Sequence, residues 1–227
     1  MKNITFFILS LVIIISSSFS SWAKTDTEEV ERGFKGRFMI GIHEIDDVKE
    51  ICFSDETTTA EDLVSLGSYS SQVEELYLDR CKVDDEVLAS LPIFPNLRKL
   101  SLRENFVSDK GFAPILRQTR LTDLDLWYNT YITEEALKNL LPIAKALTVL
   151  NVGLTQLKDA GMKVVAANFT NLEDLTVSGC ELTDSVLEDI LSLPKLRRVN
   201  IGSNKFTPSA LQEFLQKAQK RGISVKS

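Results

Sequence analysis

The sequence predicts an α/β solenoid: one curved row of strand–helix units, with parallel strands lining the concave face and helices on the convex face. Three observations lead there. Leucine is crowded, with 29 of the 31 leucines of the 227-residue chain falling between Leu63 and Leu215. Segments beginning at Val48, Val73, Leu97, Leu121, Leu147, Leu172 and Leu196 align on one pattern, their starts 24 to 26 residues apart. The second half of most units carries helix-start chemistry. A unit of this size cannot bury its apolar face alone, so the units must stack into a continuous core.

Residues 1–23 read as a signal peptide. Lys2 supplies the positive start, Ile4 to Ile15 is apolar apart from Thr5 and Ser10, and Ser21-Trp22-Ala23 places small residues for cleavage after Ala23. Ser16-Ser17-Ser18 cuts the run short of the roughly 20 apolar residues that a spanning helix needs. Secretion or a periplasmic location is therefore expected, with no stable membrane insertion after cleavage. Residues 24–47 lie outside the repeat register. Their Phe34, Phe38, Met39, Ile40 and Ile42 are expected to fold over the first repeat as an N-terminal cap. Residues 48–227 form the repeat domain, seven repeats closed by the half-repeat Ile223-Ser224-Val225.

Within each unit the fourth and sixth places are apolar: Ile51/Phe53, Leu76/Leu78, Leu100/Leu102, Leu124/Leu126, Leu150/Val152, Leu175/Val177 and Val199/Ile201. That alternation is a short half-buried strand. The ninth place is Cys81, Asn105, Asn129, Thr155, Cys180 or Asn204, with Glu56 the exception. Helices follow. Ser108, Thr133, Thr183 and Thr207 stand where an N-cap oxygen accepts the first free helical N–H groups, and Asp109, Glu134 and Asp184 suit the positive end of the helix dipole. Pro208 favours a first helical position. From it Leu211, Phe214, Leu215 and Ala218 share one face, with Gly222 past the end.

This pattern, L-x-x-L-x-L-x-x-N/C-x-L, resembles the leucine-rich repeat family over Val48 to Leu215. The helix-bearing units are similar to the cysteine-containing and ribonuclease-inhibitor-like repeats. The resemblance implies a curved surface that binds another protein; with the signal peptide, and with no catalytic motif, the expected protein is exported and non-enzymatic. Alternatives that it leaves open are a secreted effector acting on a host protein, and a regulator similar to GTPase activators or ubiquitin-ligase receptors.

Composition and motifs point the same way. Lys and Arg number 26 against 32 Asp and Glu, a formal charge of −6, whereas nucleic-acid binding needs a basic stripe. The lone His43 lies in a solvated acidic stretch, and no P-loop, G-x-S-x-G, H-E-x-x-H or C-x-x-C occurs. Neither enzyme activity nor a cofactor nor a metal is implied. Cys81 and Cys180 share one inward place four repeats apart, about 19 Å by strand spacing, and a disulfide needs Cα atoms within roughly 7 Å. Cys52 is expected to be a shielded thiol beneath the cap.

If the fourth and sixth places point inward, the third, fifth, seventh and eighth face the concavity. There Trp127 and Tyr128 stand beside the small Gly153, Ser178 and Gly179, flanked by Arg103 and Asn151, with Leu154 and Tyr77 in neighbouring positions. An aromatic wall over a shallow floor has the composition of a binding hot spot, so these six larger residues are the expected contact site. Asp123 and Asp125 are neighbours on the same face, with nothing marking them as an acid/base pair.

Overall fold

Nine strands form one sheet in chain order: β1 (Met39–Gly41), β2 (Glu50–Ser54), β3 (Glu75–Asp79), β4 (Lys99–Ser101), β5 (Asp123–Asp125), β6 (Val149–Asn151), β7 (Asp174–Thr176), β8 (Arg198–Asn200) and β9 (Ser224–Lys226). The structure is a computed structural model that describes residues 39–41, 49–54 and 57–227. The stretch expected to be a signal peptide, His43 and most of the expected cap segment lie outside the described residues. Strands β2 to β9 pair in parallel, and β1 pairs antiparallel with β2. Register follows the repeat, so Leu76, Leu100, Leu124, Leu150, Leu175 and Val199 align across six strands. A one-place slip would turn every leucine outward, and burial forbids it.

Helices α1 (Ala60–Ser65), α2 (Asp85–Ala89), α3 (Ala113–Leu116), α4 (Glu134–Asn139), α5 (Lys158–Asn168), α6 (Leu187–Ser192) and α7 (Pro208–Lys220) alternate with the strands. The space between helices and sheet holds an uninterrupted apolar core from Ile51 to Ile223. Phe53, Phe94, Phe112, Phe169 and Phe214 are its largest members. Gln118 is fully buried at the place that Phe94, Ala144 and Phe169 fill in other repeats. Its amide tolerates burial because every group finds a partner: Phe94 N–H donates to Oε1, and Nε2 donates to the carbonyls of Pro92 and Pro114.

The ninth place is a buried ladder. Asn105 Oδ1 accepts from the backbone of Cys81 and Val83, while its Nδ2 donates to Leu78 and Arg103 carbonyls. Asn129 and Asn204 repeat the arrangement, and each donates back to the sixth-place carbonyl of the preceding repeat. Cys180 does the same with its thiol, Sγ lying 3.1 Å from Val152 O. Asparagine and cysteine share this place because both carry a compact donor. Cys52, Cys81 and Cys180 form no disulfide among the described residues.

Thr133, Thr183 and Thr207 cap their helices as the sequence implies. Ser108 does not. Its hydroxyl accepts from Lys110 N–H in a turn, and α3 begins only at Ala113, after Gly111 and with Pro114 in its first turn. Leu215 is a second departure: Phe214 and Ala218 are buried, but Leu215 is 36% exposed on the outer edge of α7.

Candidate functional site

Strands β5, β6 and β8 end in turns built by side chains. Fifth-place Asp125, Asn151 and Asn200 bend back to accept the N–H two residues on, from Trp127, Gly153 and Gly202 at 2.9, 3.1 and 3.2 Å. This is the Asx turn that short polar side chains favour. The chain then passes through a left-handed residue at every eighth place from Arg80 to Ser203, with φ between +53° and +64°. Those turns stack, because the N–H of Arg80, Glu104, Tyr128, Leu154 and Gly179 donates to the seventh-place carbonyl of the next repeat. Only Gly179 avoids the Cβ penalty of this region. The turn is not legible from residue type, since Arg, Glu, Tyr, Leu and Ser are not left-handed formers.

The turn after β5 aims Trp127 and Tyr128. Their ring centroids lie 5.5 Å apart with planes tilted by 33°. The Arg103 guanidinium sits 5.1 Å from the indole centroid, in cation–π range, and its Nε is 3.9 Å from Asp125 Oδ2. Asn151 Nδ2 donates to that same oxygen at 2.9 Å. Burial pushes the Asp125 carboxyl up, with Asp79 adding to it, and this outweighs the Trp127 N–H, Asn151 amide and Arg103 charge that favour the anion. Asp125 thus ties Arg103, Trp127 and Asn151 into one unit.

Trp127 leans toward its C-terminal neighbour. A Cβ on Gly153 would stand 2.8 Å from Trp127 Cδ1, so the ring lies against the glycine backbone. Leu154 does the same one place on, and a Cβ on Gly179 would meet its Cδ2 at 2.4 Å. The small residues are therefore not an open floor; they are the seats of Trp127 and Leu154. Tyr128 remains 48% exposed above them.

Tyr77 belongs to a different group. Its hydroxyl donates to Glu75, and Lys99 Nζ lies 4.8 Å from its ring centroid. Burial first, then the carboxylates of Glu75 and Glu50, hold the phenol above its ordinary value. Cys52, one strand away, is half-buried, and its Sγ donates to Glu50 at 3.3 Å. Burial, then Glu50, Asp79 and Glu75, push its thiol up to about 12. Of the six expected residues, Arg103, Trp127, Tyr128 and Asn151 come together, Leu154 adjoins them, and Tyr77 stands apart.

Two features escaped the sequence reading. Phe106 and Tyr131 are 53% and 59% exposed on the loops after β4 and β5. Phe106 had a signal: the place after the ninth is polar in the other repeats from Lys82 to Lys205. Tyr131 sits where the 26-residue unit carries its extra residue, bridged to Ser108. The second feature is a row of clamps. Asp85, Asp109, Asp159 and Asp184 each bind both the N–H and the hydroxyl of the cap residue one repeat on, Ser108, Thr133, Thr183 and Thr207. Glu134 and Lys158 interrupt the row.

No helix among the described residues is long and apolar enough to cross a membrane, and none of their His, Cys, Asp or Glu groups could hold a metal ion. No protein-family model and no curated protein matches the chain. Among solved structures it is similar to an internalin from Listeria monocytogenes, with a TM-score of 0.55 and 18% identity over 88% of this chain and 68% of that one. The fold is a leucine-rich-repeat solenoid. At that identity the likeness speaks for the architecture, and not for a subfamily of repeats.

Proposed function

We propose that this leucine-rich-repeat protein is an exported, non-enzymatic protein-binding module. Its contact site is the group Arg103, Trp127, Tyr128, Asn151 and Leu154, with Tyr77 on the N-terminal flank. The observation that carries this reading is a pre-organised aromatic pair. Arg103 stacks on Trp127, which rests on Gly153, and Tyr128 stands half in solvent beside it. Rigid Trp, Tyr and Arg side chains dominate binding hot spots, because little entropy is lost when they are covered. Solenoids offer partners an extended curved surface. The internalin likeness supports the scaffold for such a role, and the apolar run of residues 4–15 supports export.

Affinity capture from the native organism tests the reading. Wild type is expected to retain a protein that Trp127→Ala/Tyr128→Ala loses, with equal thermal stability of the two baits. Equal capture by both would remove this site.

A further inference from the structure

The concave face is electrically lopsided. Among the described residues of β2 to β5 and the turns after them, the outward places carry six carboxylates (Glu50, Glu75, Asp79, Glu104, Asp123 and Asp125) against three cations. Each cation leans on a carboxylate of an adjacent repeat: Lys99 on Glu75 at 3.9 Å, Arg80 on Glu104 at 3.8 Å and Arg103 on Asp125 at 3.9 Å. Three carboxylates are left with neutral donors. Glu50 accepts from the Cys52 thiol, Asp79 from the Ser101 hydroxyl and the Arg103 N–H, and Asp123 from the Thr122 hydroxyl. Among the described residues no cation lies within ion-pair distance of these three. Burial is the larger cause of the raised Cys52 thiol and Tyr77 phenol, and the carboxylates around them add to it. Farther along, Asp174 is matched by Arg198 at 2.7 Å, and the seventh and eighth places become Gly153, Leu154, Ser178, Gly179, Gly202 and Ser203.

We infer that the occupant of this face is an extended cationic polypeptide segment. Its Lys or Arg side chains meet Glu50, Asp79 and Asp123, and an apolar side chain beside them rests on Trp127 and Tyr128. The inference deepens the protein-binding reading and rests on it. The sheet face is unpartnered, and its surplus charge selects the sign of what covers it. Dimensions agree: from Glu50 at the third place of β2 to Trp127 at the seventh place after β5 is three strand spacings across and four residues along, a diagonal of about 20 Å that about seven extended residues span. Alternate side chains of such a segment point to the sheet, so every second residue is basic.

The test uses the full chain and two fluorescein-labelled probes, Lys-Gly-Lys-Gly-Lys-Gly-Phe and its counterpart with Glu for Lys, read by anisotropy at low and physiological salt. The Lys probe is expected to bind, to weaken with salt, and to lose about tenfold in affinity to the triple variant E50Q/D79N/D123N. The double variant E50Q/D123N leaves the Asp79 bonds to Ser101 and Arg103 intact and is expected to show part of that loss, should the triple variant fold poorly. Equal binding of the Glu probe, no binding of the Lys probe, or undiminished binding by both neutralised variants would overturn the inference. Loss in W127A/Y128A without loss in the neutralised variants keeps the aromatic site and overturns the charge match. The opposite pattern keeps the charge match and overturns the aromatic site.

Discussion

At the level of single residues, the third, fifth and ninth places look alike in sequence, as small or polar side chains, yet their work differs. Asn129 is fully buried and bonded to Val107 N–H and to the Leu102 and Leu126 carbonyls. Asn129→Ala strands those groups, each at about 1–3 kcal/mol, and chemical denaturation is expected to register a loss of at least about 2 kcal/mol. Asp125 lies at the fifth place, where the next repeat has Asn151 making the same turn. Its raised pKa means that ionised Asp125 costs stability; its contribution is fullest below the ordinary carboxylate range and falls as pH rises. Asp125→Asn, which keeps the turn acceptor, is therefore expected to match or exceed the wild-type melting temperature at neutral pH. That advantage should shrink toward acid. Asp125→Ala, lacking the acceptor, should melt lower at every pH. Cys52, held near 12, is neutral at pH 8. Its alkylation by iodoacetamide is expected to be about a hundredfold slower or more in the native protein than in urea, and comparable rates would contradict the burial described above.

Elements here are short, and what holds them is lateral. Strands of three to five residues and helices of four to thirteen would not persist alone. The aspartate clamps join consecutive repeats at the helix starts. Burial pushes the Asp159 carboxyl up, but hydrogen bonds from Thr183 and Ser185 outweigh it and hold the group below its ordinary value. This clamp therefore stabilises at and above the ordinary carboxylate range and is lost as pH falls through the lowered value. Asp159→Ala should shift the neutral-pH denaturation midpoint downward, and the difference from wild type should narrow as acid protonates the clamp. At the strand ends, Gly179→Ala combines a left-handed φ of +64° with a contact on Leu154, and is expected to destabilise where Gly222→Ala, with open space around it, does so less. The strands and the ninth-place ladder were legible because their apolar and Asn/Cys places recur along the chain. The clamps were not. Asp109 and Asp184 read as dipole-compensating residues, and their partners 23 or 24 residues away become neighbours only once the repeats stack. Ser108 also misled: it keeps the same clamp, to Asp85, as the capping threonines, but its helix is postponed past Gly111 to Ala113.

For the whole molecule, stacking makes neighbours of residues one repeat apart and leaves those two repeats apart separated. Sequence columns therefore identified the surface but not its partition. Tyr77 and Trp127 share a face, yet Tyr77 is committed to Glu75 and Lys99 while Trp127 is committed to Arg103 and Gly153. Seating a large ring on a neighbour's glycine is a tertiary event that spacing alone does not announce. It has a direct signature: Gly153→Ala must displace the indole, and Trp127 emission read in a Trp22→Phe background should shift, with weaker partner capture. The central claim is that this aromatic pair is where a protein partner docks. The most direct measurement is the dissociation constant of the captured partner for wild type, for Trp127→Ala/Tyr128→Ala and for a second exposed aromatic pair, Phe106→Ala/Tyr131→Ala. The account predicts at least a tenfold weakening, about 1.4 kcal/mol, for the first variant and little change for the second. An unchanged constant in Trp127→Ala/Tyr128→Ala, with its melting temperature intact, would contradict it.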